Sequence, residues 1–215
     1  MKREVKRNLC GALALIVAFV LWTCILCIAD VAPIGPEGSV VGLSTMNGSF
    51  HALTGVNMAL YTVTDWLGLV PIAVAFGFAV LGLVQWIKRK RILRVDRSIL
   101  VLGGFYAAVM AVYALFEVIA VNYRPVLIQG YLEASYPSST TMLVMCVMPT
   151  AMMQCKARVR GRVLRVVLLW GMGAFLAFMV VGRVLSGVHW ITDIVGGALI
   201  SAGLVLGYRA AEQAL

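Results

Sequence analysis

Hydrophobic positions along this 215-residue chain gather into six runs, at 9–29, 66–87, 98–121, 140–155, 166–181 and 191–207. Each approaches the roughly 20 residues that cross a bilayer as α-helix. The pattern predicts an all-α polytopic membrane protein with six transmembrane helices, residues 1–215 forming a single integral membrane domain. The fourth and fifth runs are the shortest, so their helices are expected to extend into flanking residues shielded by protein. A basic opening, MKREVKR, precedes the first run in the manner of a secretion signal. That run, however, exceeds the roughly 7–15 apolar residues of a signal, and no small-x-small site follows it cleanly, which favours a retained first helix.

Composition agrees with the pattern. Hydrophobic residues make up 62% of the chain and charged residues 13%, with a mean hydropathy of +0.96. A soluble fold of this length has no core large enough to hide so much apolar surface.

Charge then orients the helices. The net charge is +9, and sixteen of the eighteen Lys and Arg residues precede the first run, lie in the 88–97 and 156–165 connections, or follow the last run. In a six-pass topology these all fall on one side, which the positive-inside rule makes cytoplasmic. The expected place is the cell membrane, with both termini cytoplasmic and any site extracytoplasmic. Basic clusters so placed indicate topology and contact with anionic lipids at the cytoplasmic face, and speak against nucleic-acid binding.

Arg124 and Arg183 stand apart, both at extracytoplasmic helix ends where topology gives no reason for them and desolvation makes them costly. Snorkelling, or a structural ion pair with Glu117, Glu133 or Asp193, is the plain explanation. Their neighbours argue for more. Glu117 and Arg124 are seven residues apart, about two turns, and share a face if the third helix reaches that far, with Pro125 stopping it. Pro137 followed by Ser138, Ser139 and Thr140 reads as a helix start, whose free N–H groups suit an anion, although capping alone would account for the hydroxyls. Downstream, His189 and Asp193 have i,i+4 spacing, so the carboxylate can hold one imidazole nitrogen and leave the other free. Arg183 lies six residues before the histidine, across a bend at Ser186 and Gly187. A nucleophile, an orienting group and an anion clamp would look like this.

The run Arg183-x5-His189-x3-Asp193 resembles the third signature, SR-x5-H-x3-D, of the phosphatidic acid phosphatase type 2 and vanadium haloperoxidase superfamily. Arg124-Pro125 resembles the end of its first signature, K-x6-RP, and Pro137-Ser138 the start of its second, PSGH. The resemblance covers about residues 45–210. It implies a membrane phosphatase acting on lipid phosphates or polyprenyl diphosphates, such as undecaprenyl diphosphate, through a phosphohistidine. In that reading His189 is the nucleophile and Asp193 its orienting residue. Arg124, Arg183 and Ser138 bind the phosphate, and neither a metal nor another cofactor is implied. Three positions depart from the family: Glu117 stands for the lysine, Ser139 and Thr140 for the Gly-His pair, and Gly182 for the serine before Arg183. The family's general-acid histidine is therefore missing, and either His51 or a buried Glu117 with a raised pKa could replace it. The alternative is a non-catalytic relative that binds a lipid headgroup or assists another membrane protein.

The remaining features add little chemistry. Cys10, Cys24, Cys27, Cys146 and Cys155 read as small apolar residues in helices. Gly171, Gly173, Gly196 and Gly197 permit close helix packing. The Gly, Pro and Ser-rich loop over 30–49 is expected to cover the mouth of the site. Oligomeric state is left open.

Overall fold

In the computed structural model, which describes residues 3–215, eight α-helices follow one another: α1 (Arg3–Ile28), α2 (Ser44–Thr54), α3 (Met58–Leu67), α4 (Leu69–Arg89), α5 (Arg97–Val118), α6 (Ser139–Arg158), α7 (Arg162–Leu185) and α8 (Ile191–Gln213). No strand forms among the described residues; three isolated bridges join loop segments. Five segments are long and apolar enough to cross a bilayer, and α3 with α4 makes one of them, Met58–Arg89. The second span thus starts eight residues before the apolar run that marks it. The sixth crossing is α6, whose 20 residues reach about 30 Å. Its threonines, Pro149 and Gln154 lower its apolarity, and a location inside the bundle explains why they are tolerated. Thr141, Val144, Cys146, Met148 and Gln154 are all buried, against α7 and α8 in particular.

The first and last helices form an antiparallel seam. Asn8 Nδ2 donates to Gln213 Oε1 at 2.8 Å at one end and Trp22 Nε1 to the Thr192 carbonyl at 3.2 Å at the other. Between them α8 comes close enough that a Cβ on Gly203 would lie 3.1 Å from Ile16. Small residues at such contacts let backbones approach and gain van der Waals attraction where lipid offers no hydrophobic driving force.

At the basic end Asp96 gathers three elements. It accepts from Arg89 at 2.9 Å, from Arg158 at 3.0 Å and from Gln85 at 2.9 Å. The hydrogen bonds from Arg158 and Arg89 hold its carboxyl down to about 2. At the opposite end the 119–138 connection, the turn after α7 and the short α2 converge, and there the candidate residues lie.

Two expectations fail here. Helix α5 ends at Val118, six residues before Arg124, so Glu117 and Arg124 do not share a helical face and Pro125 is not what stops the helix. The 30–49 segment lines no cavity at the candidate residues. Its second half packs inward, Gly42 N–H donating to Asn122 Oδ1 at 3.3 Å and Asn47 Nδ2, from α2, to Thr192 Oγ1 at 3.0 Å, while Val31, Ile34 and Val40 stay exposed.

Candidate active site

The 119–138 connection is held by its own backbone and by α8. Arg124 N–H donates to the Glu133 carbonyl at 3.0 Å, and Trp190 Nε1 donates to the Tyr123 carbonyl at 2.7 Å. Arg124 is thereby fixed over the turn that carries His189. Arg183 comes from the last turn of α7, which closes at Ser186, and Gly187 follows with φ +65. No side chain fits there, since a Cβ on Gly187 would sit 1.8 Å from the Gly55 carbonyl oxygen. Gly196 and Gly197 serve the same end on α8. A Cβ on Gly196 would lie 2.5 Å from the Tyr136 ring, and bare backbone here lets Ser138 N–H reach the Asp193 carbonyl at 3.0 Å.

These contacts bring Arg124, Arg183, Ser138, Ser139, Thr140, His189 and Asp193 to one end of the bundle. Arg124 NH1 lies 3.2 Å from His189 Nε2. Arginine can only donate, so Nε2 accepts and the imidazole proton sits on Nδ1. That nitrogen faces Asp193 Oδ2 at 3.6 Å, too long for a hydrogen bond. The carboxylate is pinned elsewhere, Oδ2 by Trp190 N–H at 3.1 Å and Oδ1 by Asn122 Nδ2 at 3.2 Å. Such bonds in unliganded sites commonly tighten when substrate binds.

Burial pushes His189 down to about 4, with the Arg124 and Arg183 charges adding and Asp193 opposing. The imidazole is therefore neutral at pH 7, with a lone pair on Nε2. The folded-state value lies below the unfolded one, near 6.5. Its contribution to stability is thus complete above about pH 6.5 and is lost as the pH falls toward 4. A His51→Ala protein contains one histidine, and 15N NMR of its side chain should show an Nδ1–H tautomer that stays neutral through pH 5.5. Titration at the ordinary histidine value would refute the buried neutral state.

Each arginine is already paired with a carboxylate. Arg183 is 1% exposed; its NH2 donates to Asp65 Oδ1 at 2.9 Å and to Thr140 Oγ1 at 2.6 Å. Its Nε and NH1 are buried without a partner. Arg124 Nε is 3.0 Å from Glu133 Oε2, close in charge but off the hydrogen-bond line. Both guanidinium groups lie over the ring of Tyr61, at 5.1 Å for Arg183 and 5.8 Å for Arg124.

Two cavities meet at the start of α6. One is polar, about 390 Å³, and is lined by Glu117, Arg124, Glu133, Ser139 and His189 among others. The second is apolar, about 320 Å³, lying between α4, α5 and α6, with Asp65, Leu69, Met110 and Thr140 in its wall. Tyr113, Ser139 and Met142 line both.

The other expected residues fall in different places. The Ser138 hydroxyl makes no capping bond and is buried without a partner, and the next residue, Ser139, lines the polar cavity. Glu117, in the last turn of α5, lines the polar cavity with Arg124 and His189. His51 is half-buried against Trp190, with ring centroids 5.5 Å apart, and lines neither cavity. Burial lowers its pKa, which also makes it a poor proton carrier at pH 7.

Asp65, Tyr61 and Asn122 were not singled out by the sequence reading. Asp65 carried a usable signal, because a carboxylate inside an apolar segment needs a partner. For Asn122 no local signal exists.

Comparison with known proteins points to one superfamily and one fold. Residues 118–214 match the PAP2 superfamily. The fold is similar to the crystal structure of the first transmembrane PAP2 type phosphatidylglycerolphosphate phosphatase from Bacillus subtilis, with a TM-score of 0.57 and 16% identity over 95% of this chain and 96% of that one. No curated protein matches the sequence. Residues 118–214, which contain Arg124, Ser138, Arg183, His189 and Asp193, belong to the PAP2 superfamily, and they sit in a multi-pass membrane fold of the PAP2 type.

Proposed function

We propose that the protein is a membrane phosphatase that hydrolyses lipid phosphates or polyprenyl diphosphates at the extracytoplasmic face through a phosphohistidine on His189. The observation that carries this reading is the His189 imidazole, whose Nε2 meets Arg124 at the wall of a polar cavity. An arriving phosphoryl group competes with Nε2 for the Arg124 guanidinium and so frees the lone pair beside the phosphorus. Nε2 then forms a bond to phosphorus as the bond to the leaving oxygen breaks, while Asp193 balances the charge that builds at Nδ1–H. Arg124 and Arg183 neutralise the equatorial oxygens, which is where most of the catalysis of phosphoryl transfer comes from. Water attacks the phosphohistidine in a second step, releasing inorganic phosphate and restoring Nε2. The apolar cavity beside the polar one suits an amphiphile, phosphate in one and hydrocarbon in the other. Release of inorganic phosphate from lipid substrates by the purified protein, blocked by vanadate, tests this reading. An inert wild-type protein would reject it.

One observation favours a second reading, a non-catalytic headgroup binder. Asp65 and Glu133 already occupy the two arginines, so substrate must displace or tolerate two carboxylates. In that case lipid phosphate binds and nothing is released.

Orientation rests on the charge segregation. In a cysteine-free background, Tyr131→Cys should react with an impermeant thiol reagent in intact cells and Ile92→Cys only after permeabilisation. Both positions are exposed, at 73% and 53%. The reverse pattern would invert the assignment.

A further inference from the structure

One apolar groove is not part of the candidate site. It lies between α4 and α5 toward the basic end and encloses about 630 Å³, within the range of about 300–1,000 Å³ usual for ligand pockets. Phe76, Trp86, Ile92, Leu100, Gly103 and Gly104 are among the residues that line it. Neither glycine is imposed by crowding, since a Cβ on each would meet nothing within 4 Å. Bare backbone there leaves the groove room for a ligand.

Cations that flank the groove residues Trp86 and Ile92 along the chain argue for the occupant. Lys88, Lys90, Arg91 and Arg94 are exposed and make no ion pair among the described residues, whereas the neighbouring Arg89 and Arg158 are both engaged by Asp96. Between these cations the 3₁₀ turn Ile92–Arg94 presents two apolar side chains, Ile92 and Leu93, at 53% and 87% exposure. A turn with exposed apolar tips and unpaired cations seats itself at a bilayer interface and attracts anionic headgroups. Ile92 belongs both to this turn and to the groove wall, so the two features are continuous.

The geometry points to a binding site for one anionic phospholipid, its headgroup phosphate among Lys88, Lys90, Arg91 and Arg94 and one acyl chain in the α4–α5 groove. The site selects by the charge of the flanking cations and by the fit of an acyl chain in the groove. It is independent of phosphoryl transfer at the other end of the bundle and holds whether or not the protein is an enzyme.

Trp86 in the groove wall provides the readout. The purified protein is reconstituted in phosphatidylcholine vesicles containing a low fraction of either acyl-brominated phosphatidylglycerol or acyl-brominated phosphatidylcholine. Emission of wild type minus that of Trp86→Phe isolates Trp86. Two engaged cations at the strength usual for an anionic surface correspond to about a 30-fold preference. The brominated phosphatidylglycerol should therefore quench Trp86 well beyond the neutral lipid, while Trp170, 77% exposed on α7, is quenched by both alike. The excess should disappear in the Lys88→Gln, Lys90→Gln, Arg91→Gln, Arg94→Gln protein and in Gly103→Leu, which fills the groove without touching the charges. Should the quadruple variant fail to insert, Gly103→Leu alone decides. Equal quenching of Trp86 by the two lipids, or an excess that survives Gly103→Leu, would overturn the proposal.

Discussion

Replacing His189 with alanine is expected to abolish phosphate release from lipid substrates, by about 10⁴-fold or more, with the protein still folded and inserted. The size of the effect follows from the role: a nucleophile cannot be compensated by binding, whereas loss of a binding group leaves the reaction path intact. Asp193→Asn should cost about 10²- to 10⁴-fold, because an amide neither balances the imidazolium-like charge nor holds the proton on Nδ1. It keeps the volume of the side chain but has one oxygen where Trp190 N–H and Asn122 Nδ2 each need an acceptor, so one buried bond is lost and a stability cost of about 1–3 kcal/mol accompanies the larger loss of rate. Arg124→Gln is the informative contrast. It removes both the bond to Nε2 and a positive charge that disfavours the imidazolium, and should raise KM and lower kcat together. Turnover by His189→Ala equal to wild type would remove the enzyme reading.

A diphosphate should be a far better substrate than phosphatidate. At the position where the family carries its acid, this chain has Thr140, and its hydroxyl is occupied by Arg183 NH2 at 2.6 Å. Cleaving a monoester expels an alkoxide whose conjugate acid is about as weak as water, near 15.7, and that departure needs a proton. Cleaving a diphosphate expels a phosphate group with a second pKa of about 6, which leaves without one. The preference should approach the roughly 10²- to 10⁴-fold usually supplied by acid catalysis. His51 lies outside both cavities and is not in place to close the gap, which leaves Glu117, in the polar cavity wall, as the one substitute to test. Thr140→His should narrow it, most fully with Ser139→Gly and Glu117→Lys, because Ser139 and Glu117 line the polar cavity beside Arg124. The measurement is steady-state hydrolysis of a polyprenyl diphosphate and of phosphatidate in one detergent across pH. Hydrolysis of phosphatidate at least as fast as the diphosphate would show that another group supplies the proton.

The membrane helices were legible because their signal is long and additive: some 20 apolar residues outweigh any local exception. The third signature was legible for a related reason, since Arg183, His189 and Asp193 lie within one helix–turn–helix and their spacing nearly fixes their geometry. The end of α5 was not. Residues 119–123 contain no breaker, and what unwinds them is a pairing with 133–135 across a loop, Arg124 to Glu133 and Ser135 to Asn122. Such a contact leaves no mark within the segment itself. The ion pairs of the site were hidden for the same reason. Asp65 meets Arg183 across 118 positions, and only the cost of a carboxylate in an apolar helix hinted that a partner existed. The hydroxyl run at the start of α6 was legible as a helix start, but its sequence does not say which hydroxyl meets a cavity: Ser139 lines the polar one, and the Ser138 hydroxyl is buried without a partner.

The most direct test is to trap the covalent intermediate. Purified protein is mixed with a polyprenyl diphosphate, quenched in alkali where phosphohistidine survives, digested and read by mass spectrometry. The expected result is a phosphoryl group on His189 of wild type, more abundant in Asp193→Asn if that change slows the second step, and absent from His189→Ala. Continuous phosphate release with no phosphoryl group on His189 at any time point would contradict the proposed mechanism.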